Sequence, residues 1–388
     1  MINFNFKEEC CGCEACSNIC PVNAIRIEKD KMGFAYPKVN KEKCIDCGKC
    51  KSVCPHYNAE THKYTKEPNN SWLYTSPDNE AKKTSSSGAV FYELAKNIIN
   101  DGGYVAGCIW DDDFNAKHIL TNSLDGIKKM QGSKYVQSST DSVFQKIYEI
   151  LDKDKVVLFC GTPCQATALD LFINNKGSEL RKNLFIASFI CHGVAGPEVW
   201  QSYVRWLEKK YNSRLISVNF RDKSKEGYKK SYCKYTFESG KVVFEPTYLP
   251  TSKYIETTLV YNLGIRKSCG QCMSKGRTSC IDVIMGDWYA EYKNEGALGT
   301  SCIVSYTDKG DKLLECLSGK REFDYGSIAS NNRCIEKSST INSRNDEFID
   351  EFNDNIWLNV EKYYPSKYKY KKLLIKLHIY DLVKKLIK

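Results

Sequence analysis

The chain has no run of about eighteen apolar residues, which argues against a membrane-spanning helix, and its mean hydropathy of −0.47 agrees. It opens MINFNFKEECC, without a basic start followed by an apolar stretch, so no secretory leader is visible and a reducing cytoplasm is the expected compartment. G-x-G-x-x-G occurs nowhere, so the nicotinamide-binding fingerprint is missing. Histidine is scarce, five in 388 residues, which does not suit zinc sites of mixed cysteine and histidine. The net charge is +10, but no recognised nucleic-acid module accompanies it, so nucleic acid is not an expected partner.

Cysteine, by contrast, is abundant, with twenty in the chain. The first nine lie within residues 10–54 and fall into one pattern used twice. Cys10-x2-Cys13-x2-Cys16-x3-Cys20-Pro21 is followed by Cys44-x2-Cys47-x2-Cys50-x3-Cys54-Pro55, with Cys11 left outside the register. A disulfide framework needs an oxidising compartment, and zinc prefers paired C-x-x-C units across a long gap or with histidines. The third close cysteine and the Cys-Pro ending instead match the bacterial ferredoxin run, in which each fourth cysteine ligates the other cluster. Two 4Fe-4S clusters are therefore expected, one on Cys10, Cys13, Cys16 and Cys54, the other on Cys44, Cys47, Cys50 and Cys20. Crossing the fourth ligand makes the two halves a single folding unit that conducts electrons.

The expected fold class is α/β, a mixed sheet, with a small α+β ferredoxin-like N-terminal domain. Residues 1–58 form the cluster domain and residues 59–84 read as a polar linker with a short ordered piece around Trp72 and Tyr74. Residues 85–340 form the large domain and residues 341–388 a basic C-terminal tail. Within the large domain a helix is expected over residues 89–99, stopped by Gly102 and Gly103, then the apolar strand YVAGCIW. KVVLFC, GTPCQ and LFIASFI spell strand, tight turn opening a helix, and second strand, one βαβ crossover. Its two strands run the same way, which brings Cys164 and Cys191 to one carboxyl edge, where open α/β sheets bind ligands. Pro197 and Glu198 mark the start of a further helix.

Cys269-x2-Cys272 is weak evidence by itself. With Cys164 and Cys191 it makes four thiols, enough for a third 4Fe-4S cluster. The alternative is that Cys164 and Cys191 are small buried hydrophobes, and Cys108, Cys160, Cys233, Cys280, Cys302, Cys316 and Cys334 are read that way. Residues 361–388 carry nine lysines against two acids, with leucine and isoleucine at helical spacing. This suits a basic amphipathic helix for peripheral membrane contact or a partner, or equally a terminal helix packed on its own domain.

SSSGAVF, GSKYVQS, GTPCQ, CHGVAGPE, FRDKSKEGY, RKSCGQC, RTSCIDVIMGDW and GTSCIVSYTDKG, in that order, resemble the coenzyme F(420)-reducing hydrogenase and dehydrogenase beta-subunit family over roughly residues 1–330. The resemblance implies a flavin-binding domain holding FAD and an iron-sulfur cluster. By that resemblance Ser86, Ser87 and Gly88 open a helix toward the flavin pyrophosphate. Gly132, Ser133, Lys134, Tyr135, Gln137 and Ser138 surround the isoalloxazine or its phosphates, and Thr162 and Gln165 join the cofactor-binding set. Lys134 would stabilise negative charge near the reduced flavin. His192, beside Cys191, is either a proton donor or a structural histidine. Asp282 and Asp287 are turn or supporting residues. The family departs from this chain at Cys280 and at Tyr228, where tryptophan is commoner. The implied activity is an iron-sulfur flavoprotein oxidoreductase taking electrons from ferredoxin or another donor protein to a small-molecule acceptor, with a non-catalytic electron-transfer subunit of a larger complex as the alternative.

Overall fold

The computed structural model describes residues 1–62, 67–247, 252–276, 280–288, 298–365 and 374. The small N-terminal sheet pairs β1 (Ile25–Lys29) with β2 (Ala35–Val39) antiparallel. The large sheet has eight strands: β3 (Asn70–Tyr74), β4 (Tyr104–Trp110), β5 (Ala116–Thr121), β6 (Val157–Gly161), β7 (Leu184–Phe189), and three met after a smaller sheet. That smaller sheet is antiparallel and three-stranded, with β8 (Leu215–Asp222), β9 (Tyr232–Phe237) and β10 (Val242–Pro246) in the order β10-β9-β8. The chain then returns with β11 (Val283–Trp288), β12 (Thr300–Ser305) and β13 (Arg321–Glu322), and the large sheet reads β13-β3-β12-β11-β7-β6-β4-β5.

The four central strands β11, β7, β6 and β4 are parallel, and the pairs outside them are antiparallel. Central position explains their composition: β6 and β7 are covered on both faces, and their apolar runs bury Val157, Leu158, Phe159, Leu184, Ile186 and Ala187 completely. The expected crossover is present, with β6 and β7 as parallel neighbours joined by the helix Pro163–Lys176. That helix begins on a capping box, in which Thr162 and Gln165 satisfy each other's backbone and side-chain groups, with Pro163 at its first position.

The structure differs from the sequence reading between residues 59 and 84. Rather than only linking two domains, this segment supplies β3, inserted between β12 and β13, and the helix Asn79–Thr84, capped by the Asp78 carboxylate. The N-terminal domain is also welded to the large one. Ala15, Ile19 and Val53 share a core with Phe144, Leu169 and Phe172, which is why the helix Pro163–Lys176 is buried on nearly every side. The expected helix at the C-terminus lies, apart from Leu374, outside the described residues. No helix among those residues is long and apolar enough to cross a membrane.

Candidate iron-sulfur and redox site

The eight leading cysteines sort into two cavities, and the sorting follows the crossed pattern. One cavity is lined by Cys10, Cys13, Cys16 and Cys54, the other by Cys20, Cys44, Cys47 and Cys50. Both short helices that carry the third cysteine start from a left-handed residue, Glu14 (φ 61°) in the first half and Gly48 (φ 76°) in the second. The residue before each second cysteine, Gly12 (φ 70°) or Asp46 (φ 48°), is left-handed too. This repeated winding folds each C-x-x-C-x-x-C run around its cavity so that three thiols face a common centre.

A third cavity sits at the carboxyl edge of the large sheet. Cys164, just inside the helix after β6, Cys191, just after β7, and Cys269 and Cys272, on and just after the 3-10 turn Lys267–Gln271, line it together. Burial pushes the Cys191, Cys269 and Cys272 thiols each up to about 12. In the first cavity burial likewise lifts Cys54 to about 11 and Cys16 further. Thiols so placed become thiolates only when a cation is there to share their charge, which is the chemistry of a cluster ligand. Among the described residues no three His, Cys, Asp or Glu side chains are arranged to hold a metal ion directly. A four-iron cluster stands between its ligands, so thiols arrayed around cavities fit a cluster.

The residues assigned to the flavin by resemblance fall in two places. Gln137, Ser138, Thr162 and Gln165 line the third cysteine cavity, where Gln165 Nε2 donates to Ser138 Oγ at 3.2 Å. Ser86 and Ser133 meet elsewhere, Oγ to Oγ at 2.7 Å, next to Gly132 (φ 77°). Nearby, Ser87 Oγ donates to the Thr300 carbonyl and the Gly88 N–H to Ser301 Oγ, so this turn spends donors inside the protein. The Lys134 ammonium caps a helix end, donating to the carbonyls of Lys129, Met130, Gln131 and Gly132, and burial brings its pKa down to about 8. The Tyr135 carbonyl accepts from the Tyr254 hydroxyl. His192 borders the third cavity and contacts Asn262 Oδ1 through Nε2 at 2.6 Å and Cys334 Sγ through Nδ1 at 3.6 Å. The Cys334 contact raises the His192 pKa against burial and lowers that of Cys334.

Several participants do not stand out in the sequence. Cys11 lines both the first and third cavities, and its thiol is within hydrogen-bonding reach of Cys13 and Cys164. Its position inside the cysteine run is the signal that could have found it. Lys275 donates to the carbonyls of Cys191 and Cys334. Glu14 seats the first half on the large domain, its carboxylate accepting from Ser139 Oγ (2.8 Å), the Thr140 N–H (2.9 Å) and the Asp141 N–H (2.6 Å). Of the cysteines read as buried hydrophobes, Cys233, Cys280 and Cys302 are buried, but Cys316 is exposed and Cys334 half-buried against His192.

Three thiol quartets, two in a ferredoxin-like module, define an iron-sulfur protein. Residues 9–58 match the 4Fe-4S dicluster domain, and residues 154–330 match the family described as the C terminus of the coenzyme F420 hydrogenase/dehydrogenase beta subunit. The chain thus carries a match to a dicluster domain and, over residues 154–330, a match to the C-terminal region of that family. A solved chain of the F420-reducing NiFe hydrogenase complex from Methanosarcina barkeri is similar at 15% identity and a TM-score of 0.49, covering 78% of this chain and 96% of its own. A search of curated proteins found no match.

Proposed function

We propose that the protein is an iron-sulfur flavoprotein oxidoreductase that takes electrons from a ferredoxin-type donor protein and delivers them, through clusters on the three cysteine quartets, to FAD and a small organic acceptor. The observation that carries this reading is the sharing of Cys11 by the first and third cavities, which makes the ferredoxin-like module and the sheet edge one continuous thiol-lined path. Clusters carry single electrons while a flavin exchanges one or two, so the combination joins one-electron supply to two-electron chemistry. FAD finds support in the contact between the two loops that the family resemblance assigns to it, through Ser86 and Ser133. These hydroxyls would hold its phosphates. Lys134, turned onto backbone carbonyls, would act by fixing the loop that follows the helix Leu124–Met130. His192, held by Asn262 and Cys334, is the group on the third cavity equipped to hold or deliver a proton.

Anaerobic purification followed by iron, sulfide and flavin analysis tests the reading. About twelve irons per chain with bound flavin is the expected result, and zinc without a yellow chromophore would overturn it. The family is described as one of subunits, and this favours a second reading, a non-catalytic carrier that docks a partner bearing the active site. Turnover of a small molecule by the isolated chain with reduced ferredoxin would decide against that second reading.

A further inference from the structure

Between the first and third cavities lies a charge that belongs to neither cysteine quartet. Arg266 is 1% exposed, yet among the described residues no carboxylate lies within ion-pair distance of it. Its guanidinium is fixed instead by neutral oxygens. Nε donates to the Cys10 carbonyl at 2.8 Å, one terminal nitrogen to Gln137 Oε1 at 2.8 Å, and the other to the Ala35 carbonyl at 2.9 Å. The plane also lies against Tyr36, 4.4 Å from the ring centroid. The same residue's carbonyl accepts from the Cys269 N–H at 3.0 Å, so one side chain and its backbone touch a member of each inner quartet.

A buried cation without a counter-charge is costly, and arginine stays charged in a protein. The anions available to it are cysteine thiolates, with Cys10, Cys11, Cys164 and Cys269 feeling its field. Loading iron turns the Cys10, Cys164 and Cys269 thiols into thiolates, and each electron added to a cluster makes its site more negative. Resting on the cluster reading above, we propose that Arg266 is a potential-setting residue, whose buried guanidinium makes clusters at the Cys10 and Cys269 quartets easier to reduce and leaves the Cys44 quartet untouched. Electrons entering at the outer quartet would then run inward.

The test is a redox titration followed by EPR on the full chain, purified with its clusters, with signals assigned through single Cys→Ser changes in each quartet. Arg266→Gln should lower the equilibrium constant for reduction of the two inner clusters at least tenfold, about 59 mV for a one-electron couple, while Arg266→Lys shifts them less and the outer signal stays in place. Should Arg266→Gln fail to assemble, Arg266→Lys carries the comparison, because it keeps the charge but loses the planar fork held by Cys10, Gln137 and Ala35. Inner potentials that do not move, or three potentials that move equally, would overturn the role of Arg266. A wild-type chain without cluster signals would overturn the cluster reading itself, a distinguishable failure.

Discussion

The two halves of the N-terminal module share a cysteine spacing and a backbone winding but not an environment. Cys10, Cys13, Cys16 and Cys54 are each 7% exposed, and Cys13 shares a core with the large domain. In the other quartet Cys47 is exposed, and its neighbour Ile45 is 63% exposed. The left-handed positions carry the same contrast. Gly12 lies against Arg266 and Gln137 and Glu14 is bonded to residues 139–141, whereas a Cβ at Gly48 would meet nothing within 4 Å and, among the described residues, Asp46 pairs with the amino terminus. The shared cysteine spacing goes with the same winding in both halves. Contacts of Gly12 and Glu14 with the second domain distinguish the first half, while Ile45 and Cys47 of the second face solvent.

The largest effect should come from Gly12→Ala. A Cβ there would stand 2.5 Å from Gln137 Nε2 and 2.7 Å from an Arg266 nitrogen, at a positive φ. Overpacking plus left-handed strain should cost about 3 kcal/mol. Gly48→Ala, in open space, should cost only the strain, about 1 kcal/mol. Anaerobic thermal unfolding of the two variants measures the difference, and equal losses would erase the distinction between the halves. Next comes Glu14→Ala, which strands the buried Thr140 N–H and should cost about 2 kcal/mol. Asp46→Ala should leave the melting temperature unchanged.

Acid should unseat the inner half through His118. It is buried, stacked on Phe159, with Nε2 3.2 Å from the Cys160 carbonyl, and its own backbone N–H holds the Ser139 carbonyl beneath Glu14. Burial pushes its pKa down to about 4. Because the unfolded chain binds this proton more readily, the stabilisation is complete above the unfolded value near 6.5 and is lost as pH falls toward 4. By about pH 5 the loss should reach about 2 kcal/mol. Denaturant unfolding at neutral and acid pH reads it, and His118→Phe should flatten the dependence relative to wild type.

What was legible in the sequence was local. Ligand spacing, the capping box of Thr162 and Gln165 and the apolar runs of β6 and β7 are set by neighbours a few residues apart, and the crossover rule then carries Cys164 and Cys191 to one edge. What escaped depends on partners far along the chain. β3 is five residues of a polar stretch, and it becomes a strand only because β12 arrives more than two hundred residues later to pair Leu73 with Cys302. Arg266 reads as an ordinary basic residue before a C-x-x-C until Cys10 and Ala35 fold over it. Cys334 reads as filler until His192 comes within reach.

The smallest effect, a matter of rates, bears most directly on direction of flow. A chelator or oxidant must reach a cluster to strip it, and access depends on the cover above its ligands. The Cys20, Cys44, Cys47 and Cys50 cavity is rimmed by the exposed Met1, Val22 and Ile45, while Cys10, Cys13, Cys16 and Cys54 are each buried. Anaerobic exposure of the loaded protein to ferricyanide and chelator should bleach its visible absorbance in two phases, the faster carrying roughly a third of the iron. Cys47→Ser should remove the fast phase and leave the slow one. A single phase, or a fast phase that survives this change, would mean that burial does not separate the two halves, and the outer quartet would lose its standing as the point where electrons enter.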